Sequence, residues 1–209
     1  MLVKNYQKGL SLVELMIGLA IGMAAVTALV SFVGFGIGVN SKAINKSKLS
    51  EETEMLIDFM SSEVMRAGYT GATIAMLQDP TANPSLFANS LIVSQHPDEE
   101  LETCINYTYD INGNGVVDTV GINENLGFRL RSKTIQIRQE GATCDANINW
   151  STISDPAVID VELLAFTLSQ VLIDGVTRNQ IDLSIETKSK TTTSFSASLS
   201  RSFMVRNYD

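Results

Sequence analysis

Three groups of residues carry donor atoms at spacings that could do chemistry. The first is Asp110-Ile-Asn112-Gly-Asn114-Gly115-Val116-Val117-Asp118, which reads D-x-N-x-N-G-x-x-D. Oxygen donors at alternate positions, Gly115 at the bend and the Val116 carbonyl suit calcium, which takes about six to eight oxygen ligands. Asp110 and Asp118 are the only carboxylates of the set, so the expected ion is structural and of modest affinity. Gly121 stands where an EF-type loop carries its last Glu, and the same residues also read as an Asn-Gly hairpin turn. The second group is Cys104 and Cys144, the two cysteines of the chain, with His96 its one histidine. These are too few and too scattered for a metal cage. No Ser or Cys nucleophile motif accompanies His96, which is expected to be solvated, so the chain is not expected to be an enzyme. Asp98-Glu99-Glu100 and Glu102 read as a solvated acidic surface. The third group is a lone carboxylate, Glu14, followed by a charge-free stretch from Leu15 to Ser41. That stretch is long enough to cross a bilayer core of about 30 Å at ~1.5 Å per residue. An ionisable group inside such a segment marks function by default.

The residues around Glu14 sharpen this. Lys8-Gly9-Leu10-Ser11-Leu12-Val13-Glu14 places a basic leader and a Gly before the apolar run, with the carboxylate five residues past that Gly. An ordinary secretory signal is cut after its apolar region, which is then lost. Here the processing point precedes the apolar segment, which is retained. The arrangement resembles the type IV prepilin signature. That resemblance implies cleavage after Gly9 by a prepilin peptidase on the cytoplasmic face, methylation of the new N-terminus Leu10, and pairing of Glu14 with an N-terminal amine during assembly. Leu10 departs from the Phe common at this position but keeps its bulk and apolarity. Gly18-Leu-Ala-Ile-Gly22 has the small-xxx-small spacing that lets helices approach closely. Gly34, Gly36 and Gly38 weaken a helix interior.

Orientation rests on the leader and on the cysteines, because Lys4 and Lys8 on one flank face Lys42, Lys46 and Lys48 on the other and the positive-inside rule does not choose. The expected placement is a single pass in the inner membrane with a periplasmic C-terminal domain, followed by incorporation into a pilus. Two cysteines in a domain exported beyond an oxidising face pair most simply with each other, so Cys104–Cys144 is the expected disulfide. On the chain-entropy model, closing a loop of roughly 40 residues stabilises by about 4 kcal/mol. The chain carries 15 Lys+Arg against 23 Asp+Glu, a formal charge of −8. An acidic surface repels phosphate backbones, so bulk nucleic-acid binding is not expected.

The elements that must position these residues follow from periodicity. Leu49, Leu56, Phe59 or Met60, Glu63 or Val64, and Ala67 keep helical spacing beyond the apolar run, and Gly68 is a natural C-cap. Leu10 to Gly68 then forms a spine of nearly 90 Å at ~1.5 Å per residue. Thr70 to Glu102 is loop-rich, punctuated at Asp79-Pro80, Asn83-Pro84 and His96-Pro97, with one strand candidate at Ser90–Gln95. From Cys104 the period becomes two. Ile105, Tyr107 and Tyr109 alternate with polar neighbours, as do Phe128 and Leu130 with Arg129 and Arg131, and Ile135 and Ile137 with Gln136 and Arg138. Ile181, Leu183 and Ile185 repeat the pattern. Phe195, Ala197, Leu199, Phe203 and Val205 share one face of a last strand, with Ser194, Ser196, Ser198, Ser200 and Ser202 on the other. Val158–Val171, rich in Val, Ile and Leu, reads as a central strand or a short helix, with the strand preferred. The expected class is α+β, a long N-terminal helix packed on an antiparallel sheet domain. The expected divisions are 1–9 leader, 10–39 membrane and assembly helix, 40–69 exported half of the spine, and 70–209 globular domain.

Within the pilin group, Arg66-Ala67-Gly68-Tyr69, Cys104 leading into Tyr107-Thr-Tyr109-Asp110, and Gly127-Phe-Arg-Leu-Arg131 resemble the PilW-type minor pilins. The resemblance implies a low-abundance subunit that joins other minor pilins and the major pilin, handled by the inner-membrane assembly machinery, in a tip complex that primes filament assembly. Twitching motility, adhesion or DNA uptake would follow from the pilus itself. A minor pseudopilin of type II secretion and a tip adhesin share the same features.

Overall fold

The structure is a computed structural model that describes residues 9–71, 74–79, 81–88, 90–173, 175–191 and 195–205. The leader residues Met1–Lys8, Pro80 and Ser194 lie outside the described residues. Two compact units divide at Ile44/Asn45. Within the first, the helix α1 (Leu12–Val64) is solvent-exposed along its apolar length, and an 18-residue window with mean hydropathy 2.3 makes it long and apolar enough to cross a membrane. Its two hydroxyls in that stretch are spent locally: Thr27 Oγ1 donates to the Met23 carbonyl at 2.8 Å and Ser31 Oγ to the Thr27 carbonyl at 2.9 Å. Such back-bonding lets polar side chains sit in an apolar solvent without an outside partner.

The second unit begins with the last turns of α1. Burial starts at Leu49 and recurs at Thr53, Leu56, Ile57, Met60, Ser61 and Val64, a stripe at the i, i+3, i+4 spacing. The helix ends at Val64 and tightens through Arg66 and Ala67, whose amides reach the carbonyls three residues back at 3.1 and 3.0 Å. Gly68 then takes φ 76°, a left-handed conformation that costs a β-carbon-free residue little. Its amide is received by the Thr108 carbonyl at 2.9 Å, which ties the helix end to the sheet.

Two antiparallel sheets complete the core. The first has the order β1 (Ile92–Ser94), β2 (Cys104–Thr108), β3 (Asn125–Arg131), β4 (Thr134–Arg138), β5 (Trp150–Thr152). The second has the order β6 (Ile159–Ile173), β7 (Val176–Ser189), β8 (Ser196–Met204). A five-residue helix, α2 (Ile74–Gln78), lies in the loop-rich segment before β1. The expected alternation holds: Ile105, Tyr107, Phe128, Ile135, Leu164, Phe166, Ile181, Leu183 and Ile185 form one core with the α1 stripe. Phe59 meets Phe128 edge to face at 5.6 Å between centroids. Where the helix crosses β7, buried Thr53 donates to the Leu49 carbonyl and shares a 2.7 Å hydrogen bond with the Thr187 hydroxyl, so no polar atom of the pair is stranded.

Two expectations fail here. Arg129, placed by alternation on a polar face, is 2% exposed. His96, expected in solvent, is 4% exposed, and its Nδ1 accepts the Asp98 amide at 3.1 Å. Over Arg129 the loop carrying Cys144 closes, which strand period cannot foresee. The acidic run is likewise engaged: Arg131 pairs with Asp98 and Glu99, and Glu99 accepts the Ser132 amide at 2.8 Å.

Met60 is fully buried at the centre of this core. Met60→Ala is expected to lower unfolding stability by about 2–5 kcal/mol, the usual range for emptying a core methionine site. Chemical denaturation of the purified full chain checks it.

Candidate functional site

Leu12 opens α1, and the two residues of the expected cleavage site, Gly9 and Leu10, precede it in exposed, non-helical backbone. Leu10 is 78% exposed. The helix is started by a reciprocal cap. The Ser11 amide donates to Glu14 Oε2 at 2.9 Å, and the Val13 amide donates to Ser11 Oγ at 3.4 Å. This is a capping box, in which the first-turn carboxylate also faces the positive end of the helix dipole. Glu14 thus sits beside the backbone nitrogen one residue after Leu10, the residue whose amine cleavage would free. Ser11-x-x-Glu14 is a capping signature legible in the sequence, and it gives Ser11 a role beside Glu14.

The Asp110–Asp118 loop is built differently. Asp110 is 1% exposed, and four backbone amides converge on its carboxylate. Gly113 and Asn114 donate to Oδ1 at 2.6 and 3.1 Å, Gly71 and Gly115 to Oδ2 at 2.8 Å each. Burial alone would push this carboxyl up, but the amides outweigh it and hold Asp110 below the ordinary carboxylate range. Asn112 Oδ1 accepts the Asn114 amide at 3.0 Å and Asn114 Oδ1 the Val116 amide at 2.8 Å. The nitrogens of both side chains converge on Asp118 Oδ2 at 2.7 and 2.9 Å. Among the described residues, Asp118 Oδ1 and the Val116 carbonyl are the expected donors that carry no hydrogen bond.

Glu124, which sequence reasoning missed, closes the loop from below. It is fully buried, and its two oxygens accept the amides of Ile111 at 2.7 Å and Asp118 at 2.9 Å. No sequence spacing marks this role. Gly71 fits against Gly113 so tightly that a β-carbon would lie 2.6 Å from the Gly113 carbonyl oxygen. Beside this loop a cavity of about 480 Å³ is lined by Ser62, Met65, Arg66, Tyr69, Tyr109 and Ile111. Tyr109 donates to Glu63 Oε2 at 2.9 Å, and the Arg66 guanidinium stands 5.8 Å over its ring.

Cys104 and Cys144 form the expected disulfide, with a Cα–Cα distance of 6.2 Å. Two arginines grip the loop that carries Cys144. Arg129 Nη1 donates to the carbonyls of Cys144 and Ala146 at 2.8 and 2.6 Å, its Nε to Gln136 at 2.9 Å, and its guanidinium lies 4.3 Å over the Trp150 ring. Arg138 Nε donates to Ala142 and Nη2 to Gly141, the latter at 2.7 Å. Burial pushes both guanidiniums below their ordinary range, yet each stays a cation held by carbonyl dipoles. Among the described residues no group of three His, Cys, Asp or Glu side chains is arranged to hold a metal.

The depressed pKa of Asp110 fixes a pH dependence. A carboxylate stabilised in the fold contributes fully above its unfolded pKa, about 3.9, and loses that contribution as pH falls through the lower folded value. Asp110→Asn is expected to cost about 2–3 kcal/mol at neutral pH, because an amide cannot accept what the carboxylate does. The gap between wild type and variant should narrow below about pH 4, read by thermal melts across pH.

Comparison with known proteins now bears on both ends of the chain. Residues 4–30 match the prokaryotic N-terminal methylation motif, which covers Gly9, Leu10 and Glu14. Residues 42–205 match the family described as prepilin peptidase-dependent protein B. No curated protein and no solved structure gives a significant match. With most of its length inside that family and a methylation motif at its N-terminus, the chain belongs to the prepilin peptidase-dependent protein B family, as a type IV pilin-like minor pilin.

Proposed function

We propose that this protein is a PilW-type minor pilin of a type IV pilus, a structural subunit of the tip complex that primes filament assembly. The observation that carries the reading is the N-terminal geometry: an exposed Gly9-Leu10 bond, and one carboxylate fixed at the first turn of a helix otherwise free of charge to Ser41. A buried carboxylate in lipid is costly unless paired, and the amine of a processed neighbour is a partner of opposite charge at matching depth. In this reading prepilin peptidase removes Met1–Gly9, Leu10 is methylated, and α1 anchors the subunit in the inner membrane with its sheet domain in the periplasm. Other minor pilins, the major pilin and the inner-membrane assembly machinery are the partners. The protein acts by assembly and carries out no catalysis. The Cys104–Cys144 disulfide supports the periplasmic placement, since such bonds persist in oxidising compartments. A minor pseudopilin would share every one of these features and differ in the machine it serves.

In a deletion strain, Glu14→Ala is expected to be processed normally at Gly9, read by mass spectrometry, and to lose most surface pili. Uncleaved protein that restores full piliation would overturn the reading. Loss of enzyme secretion with intact pili would assign the chain to a secretion pseudopilus.

A structural calcium ion belongs to the same proposal, in a second arrangement of the Asp110–Asp118 loop. The convergence of Asn112 and Asn114 on Asp118 favours it, since turning those amides would set oxygens beside a free carboxylate oxygen and the Val116 carbonyl. Calcium is then expected to raise the Tm of chelator-treated protein by a few degrees, and Asp118→Asn to abolish the rise. An unchanged Tm would leave the loop as the hydrogen-bonded turn described above.

A further inference from the structure

The cations of α1 all stand in one short stretch. Lys42, Lys46 and Lys48 fall between the charge-free run that ends at Ser41 and an acidic run of Glu51, Glu52, Glu54 and Asp58. All three are exposed, and among the described residues none of their ammonium groups meets a carboxylate or a carbonyl. The carboxylates one turn on are engaged elsewhere: Glu51 accepts the Ser47 hydroxyl at 2.8 Å and Glu52 the Asp155 amide at 3.1 Å. Lys133 and Lys190, by contrast, are paired within the fold, with Glu162 at 3.0 Å and Asp160 at 3.2 Å.

Position along the helix says what the three unpaired lysines meet. Glu14 to Lys42 is a rise of about 42 Å at ~1.5 Å per residue. A bilayer with its headgroups measures roughly 40–45 Å. With Glu14 at one surface, Lys42 stands at the phosphate level of the other, and Lys46 and Lys48 follow within about two turns. Helical side chains lean toward the N-terminus, here toward lipid, and a lysine stem lies along apolar surface while its ammonium seeks a polar partner. Lys42 and Lys46, at i and i+4, share a face, whereas Lys48 turns to another side. The three therefore ring the helix. A lipid leaflet surrounds a helix on every side, while a neighbouring subunit meets one side of it. Charge agrees: beyond Lys48 the chain holds 22 Asp+Glu against 10 Lys+Arg, so these cations stand between an acidic domain and any anionic surface.

We propose that Lys42, Lys46 and Lys48 form a collar that binds the phosphate headgroups of anionic phospholipid in the leaflet opposite Glu14. The inference rests on the membrane anchoring of α1 proposed above. The collar steadies the depth of the unassembled subunit from the far side of the bilayer, and it is given up when the helix leaves lipid.

The full chain in phosphatidylcholine vesicles, probed with spin-labelled phosphatidylglycerol or phosphatidylcholine, reads which lipid lies against the protein. Wild type is expected to favour phosphatidylglycerol roughly fivefold at low salt, and to lose most of that preference near ~1 M salt. Replacing the three lysines together, Lys42→Gln, Lys46→Gln and Lys48→Gln, should lower the preference at least threefold and leave the Tm unchanged. Lys4 and Lys8 are common to both proteins, so the difference belongs to the collar. Arginine at the three positions should keep the preference, as should Lys133→Gln with Lys190→Gln.

Equal preference in wild type and the glutamine variant would overturn the inference. So would an equal loss in the Lys133→Gln and Lys190→Gln protein, which would make the preference a matter of net charge. Displacement by millimolar inorganic phosphate, beyond that by chloride at matched ionic strength, would make the ligand a free anion instead. Unchanged lipid preference with filaments lost in the deletion strain would give the lysines to a neighbouring subunit. Failure of the anchoring itself looks different: the wild-type chain would then float with vesicles of neither lipid.

Discussion

One helix must satisfy two solvents, and the rest of the molecule is arranged around that demand. Up to Ser41, α1 is apolar on every side and exposes its large side chains. From Leu49 it is amphipathic and buries one stripe. Burial of apolar side chains contributes about 1.5–3 kcal/mol each, so the second half holds the sheets to the helix as the first half holds the helix to lipid. Among the described residues the sheets have no other helix of comparable length to cover their inner faces. Thr53 marks the economy of that joint: a polar residue is admitted to the core only because Thr187 and its own backbone satisfy it.

Beyond the core, polar loops are fixed by groups of opposite character used in opposite ways. Asp110 and Glu124 are buried anions that gather backbone amides. Arg129, buried, and Arg138, half-buried, are cations that gather backbone carbonyls. Each converts an irregular segment into a structure with defined hydrogen-bond accounts, which a buried loop requires. The disulfide adds a covalent constraint to a loop that the arginines already hold.

Much of this architecture is legible in the sequence because period reports burial. The switch from helical to twofold spacing after Gly68 separates α1 from the strands, and Val158–Val171 forms β6 within a residue or two at each end, though at the edge of its sheet and not at the centre expected for so apolar a run. What escapes is set by tertiary closure. Arg129 alternates correctly, but its polar side is roofed by the Cys144 loop. Trp150–Thr152 is too short for a period. The β3–β4 turn uses Ser132 and Lys133 at φ 50° and 63°, where Asn or Gly would have signalled it. At the N-terminus the residues that matter were visible, while the partnership of Ser11 with Glu14 needed geometry. In the Asp110 loop the pattern of oxygens was plain, and their commitment to amides was not.

The uniform apolarity of the first half of α1 has a consequence for how a subunit can be oriented. With no charge between Leu15 and Ser41, and with Thr27 and Ser31 turned onto their own backbone, this stretch has no polar meridian. Rotation about its long axis buries nearly the same surface at every angle. In the assembly role proposed above Glu14 would mark depth, whereas azimuth would be marked only by the small Gly18 and Gly22 pair. In the proposed assembly a helix of this kind would work as an axle, setting how far a subunit sits along its neighbours and leaving most of its facing direction to contacts made elsewhere.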